Sequence, residues 1–142
     1  MKKRIFGYLV LFAVVFTACN DITLRREDRM VGDWKFEMVR EFDQFDVVGD
    51  VVTEDYETVR ITFFEDRTME YNENGNVFSG EWDLKLDNSG EESEFELIAF
   101  LLDSNGNTKN IIWDSVVFFN DKIRAMEQFD NGDWNRYRLI RN

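Results

Sequence analysis

Short runs of alternating apolar and polar residues, each ended by a break rich in Asn, Asp or Gly, repeat from Trp34 to the C-terminus. A period of two sets one face of a segment on a core and the other in water, which is the signature of a half-buried strand. Trp34, Phe36, Met38 and Phe42 alternate with Lys35, Glu37 and Glu41, with Arg40 interrupting the apolar side. Val59, Ile61 and Phe63 alternate with Arg60 and Thr62, and Gly80, Trp82, Leu84 and Leu86 with Glu81, Asp83 and Lys85. The stretches Phe95 to Leu101 and Ile111 to Phe119 are more continuously apolar. Breaks fall at 65–67, 74–76, 87–90, 104–107, 120–121 and 131–133, and Asn-Gly between such runs is the strongest short-range hairpin signal. The pattern predicts eight strands, over 33–42, 57–65, 68–73, 77–86, 94–102, 109–119, 122–129 and 134–141. Val47 to Thr53 is either a ninth or part of a long first connection.

Eight hairpin-linked strands with no helical segment long enough to cross over predict an all-β antiparallel meander. Closing the meander into an eight-stranded up-and-down barrel removes the exposed edges that invite aggregation. The chain has no proline, so every strand can donate its full ladder of hydrogen bonds. An antiparallel β-sandwich is the alternative.

Ahead of the strands, Lys2, Lys3 and Arg4 precede the uncharged run Ile5 to Phe16, and Thr17 and Ala18 stand before Cys19. This is the three-part layout of a secretory signal, and its apolar run is well short of the roughly 20 residues a membrane-spanning helix needs. Phe16-Thr17-Ala18-Cys19 resembles the lipobox of bacterial lipoproteins. The resemblance implies cleavage after residue 18, acylation of Cys19 with palmitate-type chains, and a lipid-anchored protein of the bacterial cell envelope. An ordinary secretory signal cut near Ala18 is the alternative. Cys19 is the chain's single cysteine and cannot form an internal disulfide. The expected organisation is a signal peptide at 1–18, an anchored tether and short turn at 19–31, and a barrel domain at 32–142.

Without residues 1–18 the net charge falls from −12 to −15. A surface of that sign repels phosphates, so nucleic acid and anionic headgroups are not expected partners. Of the chain's 22 aromatic residues 18 lie beyond residue 18, which argues for a folded core over disorder. The domain is expected to be a monomer.

Gly32-Asp33-Trp34, at the start of the first strand, resembles the G-x-W signature of lipocalins. In that family the Trp closes the barrel base and an Arg near the end of the last strand lies across its indole. Here Tyr137, Leu139 and Arg141 share one face, and antiparallel closure of the last strand on the first brings Arg141 beside Trp34. The resemblance implies a compact lipocalin-like domain that binds a small apolar or amphipathic ligand.

The residue inventory argues against catalysis. There is no histidine, and lipid would consume the one thiol, so His-based triads, Cys nucleophiles and Cys/His metal sites are not available. No carboxylate pair, whether Glu91-Glu92 or those near Asp130 and Asp133, stands out from solvated surface charge. Asp103 to Asn107, with Asp114 in the twelfth place, has the outline of a calcium loop. Thr108 stands where that loop needs Gly, so a plain hairpin turn is the expectation. No cofactor, no metal and no enzymatic activity are expected. Trp82, with Leu84 and Leu86, and Trp113, in register with Ile111 and Val117, either line a pocket or pack the core. Arg40 is the polar group on the apolar side of strand 1 that would face an acidic ligand, or it reaches out to water at the mouth. Two functions stay open: a binder of a small ligand, or a filled barrel that meets a protein or glycan partner.

Overall fold

The computed structural model describes residues 26–87 and 94–142. The signal peptide, Cys19 and its tether, the break at 88–90 and the Glu91-Glu92 pair lie outside the described residues. The strands are β1 (Gly32–Phe42), β2 (Asp50–Val51), β3 (Arg60–Phe63), β4 (Thr68–Glu73), β5 (Asn76–Asp87), β6 (Glu94–Leu102), β7 (Thr108–Phe119), β8 (Lys122–Gln128) and β9 (Trp134–Arg141). Every neighbouring pair is antiparallel, in the order β1-β3-β4-β5-β6-β7-β8-β9, and β9 returns to pair with β1. The result is the closed eight-stranded up-and-down barrel that the turn spacing predicts, and not the sandwich. The two-residue β2 is an appendage on the outer half of β1.

Turn chemistry explains the hairpins. Asn74 and Gly75 both have positive φ (54° and 84°), the conformation a two-residue β-hairpin needs to follow the right-handed twist of its strands. The expected second strand is shorter than its apolar pattern, because Thr53–Tyr56 forms a 3-10 turn and the Val59 N–H donates to the Tyr56 carbonyl at 3.0 Å. Within 47–53 only Asp50 and Val51 pair, as the two-residue β2, so the ninth strand is present but short and the rest of the stretch belongs to the long first connection.

Two β-bulges reset which side chains face inward. In β1 the register steps between Phe36↔Leu139 and Met38↔Arg138, so Glu37 is an extra residue. Trp34 and Phe36 point in, but beyond the bulge the inward residue is Val39, fully buried opposite Tyr137. Arg40 therefore faces outward opposite Arg136, which corrects its expected place on the apolar side. Phe42 is also outside, stacked on Trp134 with ring centres 3.7 Å apart. In β7 a second step between Phe95↔Val116 and Leu97↔Trp113 turns Val116 and Phe118 inward and leaves Val117 on the outer face, out of register with Trp113.

One end of the barrel is shut. A helical turn at 26–30 lays Met30 over the core, fully buried, and the Met30 carbonyl accepts a 2.7 Å hydrogen bond from the Trp34 indole N–H. Glu27 ties the turn to the β3–β4 loop through Arg67 at 2.7 Å, and Arg29 donates to the Asn120 carbonyl in the β7–β8 turn. Trp34, Ile61, Phe63, Met69, Leu97, Ile123 and Leu139 fill the interior above it. Among the described residues no helix is long and apolar enough to cross a membrane.

Candidate ligand-binding mouth

The end opposite the helical turn carries a pocket of about 150 Å³, lined by Phe36, Tyr71, Lys109, Ile111, Trp113 and Glu127 among others. Strand alternation places these side chains. Ile123, Ala125 and Glu127 share the inner face of β8, Lys109, Ile111 and Trp113 that of β7, and Tyr71 follows the buried Met69 on β4. Asn135 and Tyr137 face inward opposite Glu127 and Ala125. The 3-10 turn supplies Tyr56, whose ring packs edge-on against Phe36 at 5.1 Å. Its anchorage depends on the β1 bulge: the Val39 N–H donates to Thr53 Oγ1 at 3.0 Å, and the Val52 N–H to the Val39 carbonyl at 3.1 Å.

A polar relay crosses this aromatic wall. The Tyr137 hydroxyl donates to Glu127 Oε2 at 2.6 Å and accepts from Asn135 Nδ2 at 3.1 Å. The rings of Phe36 and Trp113 flank Tyr137, with centres 5.4 and 5.8 Å away. Burial raises the Glu127 pKa above the ordinary carboxylate value, with the neighbouring Asp114 adding to the effect. Burial likewise pushes the Tyr137 and Tyr71 hydroxyls well above 10, Glu127 and Glu73 respectively adding to it. Both phenols stay protonated and able to donate at any ordinary pH. Burial also raises Tyr56, and after it the charges of Glu41, Glu127, Glu73 and Asp55 around its hydroxyl. Lys109 puts its ammonium 3.0 Å from Glu73 Oε2 and 4.2 Å from the centre of the Tyr71 ring.

The residues expected to form the site divide between this mouth and other places. Trp34 and Arg141 do meet, at the opposite, closed end: the Arg141 guanidinium lies 4.6 Å from the indole centre and donates to the Val31 and Arg29 carbonyls. Trp113 lines the mouth. Trp82 does not share its pocket: its indole packs edge-on against Phe63 at 5.4 Å and donates to the Thr68 carbonyl in the closed half. Arg40 lies outside and donates to the Val48 carbonyl at 3.0 Å. Asp103 closes the β6–β7 turn. Its carboxylate accepts from the backbone N–H groups of Asn105 and Asn107, from Asn107 Nδ2 and from Asn76 Nδ2. Among the described residues no three His, Cys, Asp or Glu side chains gather as metal ligands would.

Sequence reasoning missed Tyr56, Tyr71, Lys109, Glu127 and Tyr137 as site residues. All but Tyr56 carry a signal, because each sits at an inward position of its strand's alternation. Comparison with family models, curated proteins and solved structures gives no match to this chain.

Proposed function

We propose that this chain is a lipid-anchored lipoprotein of the bacterial cell envelope whose lipocalin-like barrel holds one small, ring-sized molecule at its open mouth. The observation that carries this reading is the aromatic pocket at the end of the barrel away from the helical turn. A void of about 150 Å³ matches a single benzene-sized ring and is too small for a sterol or a long acyl chain. The Trp34–Arg141 pair at the base supports the family likeness, and the signal and lipobox residues through Cys19 support the anchor. A site whose polar members are phenols, amides, one lysine and carboxylates already engaged in hydrogen bonds supports a reading of binding without turnover. The experiment has two arms. Mass spectrometry of membrane-extracted protein is expected to find an acylated N-terminus at Cys19, and Cys19→Ala to give unprocessed or soluble protein. Tryptophan emission, titrated with single-ring compounds, is expected to change through Trp113.

A second reading, an interaction protein with a filled interior, draws on the outer face of β6. Phe100 and Leu102 there are 63% and 56% exposed, beside Ile112 on β7. Silent tryptophan emission across the ring-sized panel would favour it.

A further inference from the structure

Resting on the reading of the mouth as a ligand site, we infer that the molecule it selects is a small organic cation, a primary or methylated amine on a single ring or short chain. The rings of Phe36, Tyr71 and Trp113 line the pocket together with two charged side chains, Lys109, whose ammonium is paired with Glu73, and Glu127, which has no ion-pair partner among the described residues. An electron-rich aromatic wall with a partly desolvated carboxylate attracts an ammonium from both sides, and neither element favours an anion. An apolar ligand of the same size would add to the desolvation of the carboxylate and leave only the Tyr137 hydroxyl against its charge.

The chain already demonstrates this chemistry on itself. The Lys109 ammonium rests over Tyr71 and 5.4 Å from the centre of Phe78, against Glu73. Glu127, beside Trp113 and hydrogen-bonded to Tyr137, offers the same combination of carboxylate and ring, and the Lys109 ammonium, committed to Glu73, reaches it only through its field. The long-range field has the same sign. The four connections at this end, 43–59, 74–75, 103–107 and 129–133, hold nine acidic residues and no Lys or Arg. At the closed end Arg26, Arg29, Arg67 and Arg141 largely offset Glu27, Asp28, Glu65, Asp66 and Asp121, so the uncompensated negative charge of the described connections gathers at the mouth. A cation is therefore drawn to the mouth before it touches any wall.

The test uses detergent-solubilised full-length protein and four matched probes: benzylamine, benzyltrimethylammonium, benzyl alcohol and benzoate. Calorimetry and Trp113 emission are expected to give the two cations an affinity at least about tenfold above the alcohol, with benzoate weaker still. Glu127→Gln keeps an acceptor for the Tyr137 hydroxyl and is expected to bring the cations down to the alcohol's affinity, leaving the alcohol unchanged. Lys109→Gln frees Glu73 and is expected to raise cation affinity several-fold, a gain that no folding defect imitates. Alcohol binding as tight as the amines, or no loss in Glu127→Gln together with no gain in Lys109→Gln, overturns the cation selectivity while leaving the ligand site standing. Failure of all four probes overturns the ligand site and the inference with it.

Discussion

Arg141 and Trp34 are direct cross-strand partners on the β1–β9 seam, and the guanidinium of the one lies 4.6 Å from the ring centre of the other. Through the carbonyls of Arg29 and Val31 the same guanidinium also holds the helical turn. One side chain thus joins the last strand, the first strand and the plug. Trp34→Ala is expected to cost about 3–5 kcal/mol as a buried aromatic truncation. Arg141→Ala is expected to cost less, with a stacking part of about 0.5–2 kcal/mol. Urea denaturation of both single variants and the double variant should give a coupling above the roughly 0.3–0.5 kcal/mol scatter of independent sites. Additive losses would show that the stack contributes nothing.

Gly32 makes that stack possible. Its φ of +129° is one L side chains rarely adopt, and a Cβ there would run into Arg141 Nη1. Gly32→Ala is expected to destabilise by more than about 1 kcal/mol, since the native backbone angle is incompatible with the new residue. In an Arg141→Ala background the steric part disappears and a smaller loss should remain. An equal loss in both backgrounds would remove Arg141 from the explanation.

The strand count, the hairpin positions and the Trp34–Arg141 meeting were legible in the sequence, because each rests on uninterrupted alternation or on turn residues with restricted conformations. Legibility failed where one inserted residue changed parity. Glu37 in β1 and the Asp114-Ser115 step in β7 look like ordinary strand residues, yet they reverse the facing of Arg40 and Val117. Glu127 and Lys109 stand at inward positions by parity, but their charge points to the wet face, where such residues ordinarily lie. Tyr56 had no signal at all: it reaches the mouth from a 3-10 turn, where no strand period applies.

Asp103 gives the fold an acid-sensitive joint. Hydrogen bonds from Asn107 first, then Asn105 and Asn76, hold its pKa down from 3.8 to about 2. A carboxyl depressed on folding contributes stability that is fully present above its unfolded pKa and is lost as the pH falls through the folded value. The contribution should therefore be intact above about pH 4 and decline toward pH 2. Asp103→Asn is expected to be less stable than the parent at pH 7, and the gap should narrow on acidification across that window. A gap that stays constant with pH would mean that the carboxylate's charge plays no part in closing the β6–β7 turn.

The β1 bulge can be tested by two neighbours whose fates it separates. Val39 is fully buried opposite Tyr137, and its backbone holds Thr53 and Val52, which position the turn that carries Tyr56. Arg40 points outward opposite Arg136, a like-charge pair, and makes one exposed hydrogen bond to Val48. Losing that bond and relieving that repulsion act in opposite directions. Val39→Ala is expected to cost about 1.5–3 kcal/mol. Arg40→Ala should stay within about 0.5 kcal/mol of the parent. Arg40→Ala should also leave the relative affinities of cationic, neutral and acidic probes unchanged, because its side chain does not enter the pocket. A larger loss from Arg40→Ala than from Val39→Ala, or a selective loss of benzoate binding, would restore the unbroken alternation that the sequence alone suggests and move the arginine back to the inner face.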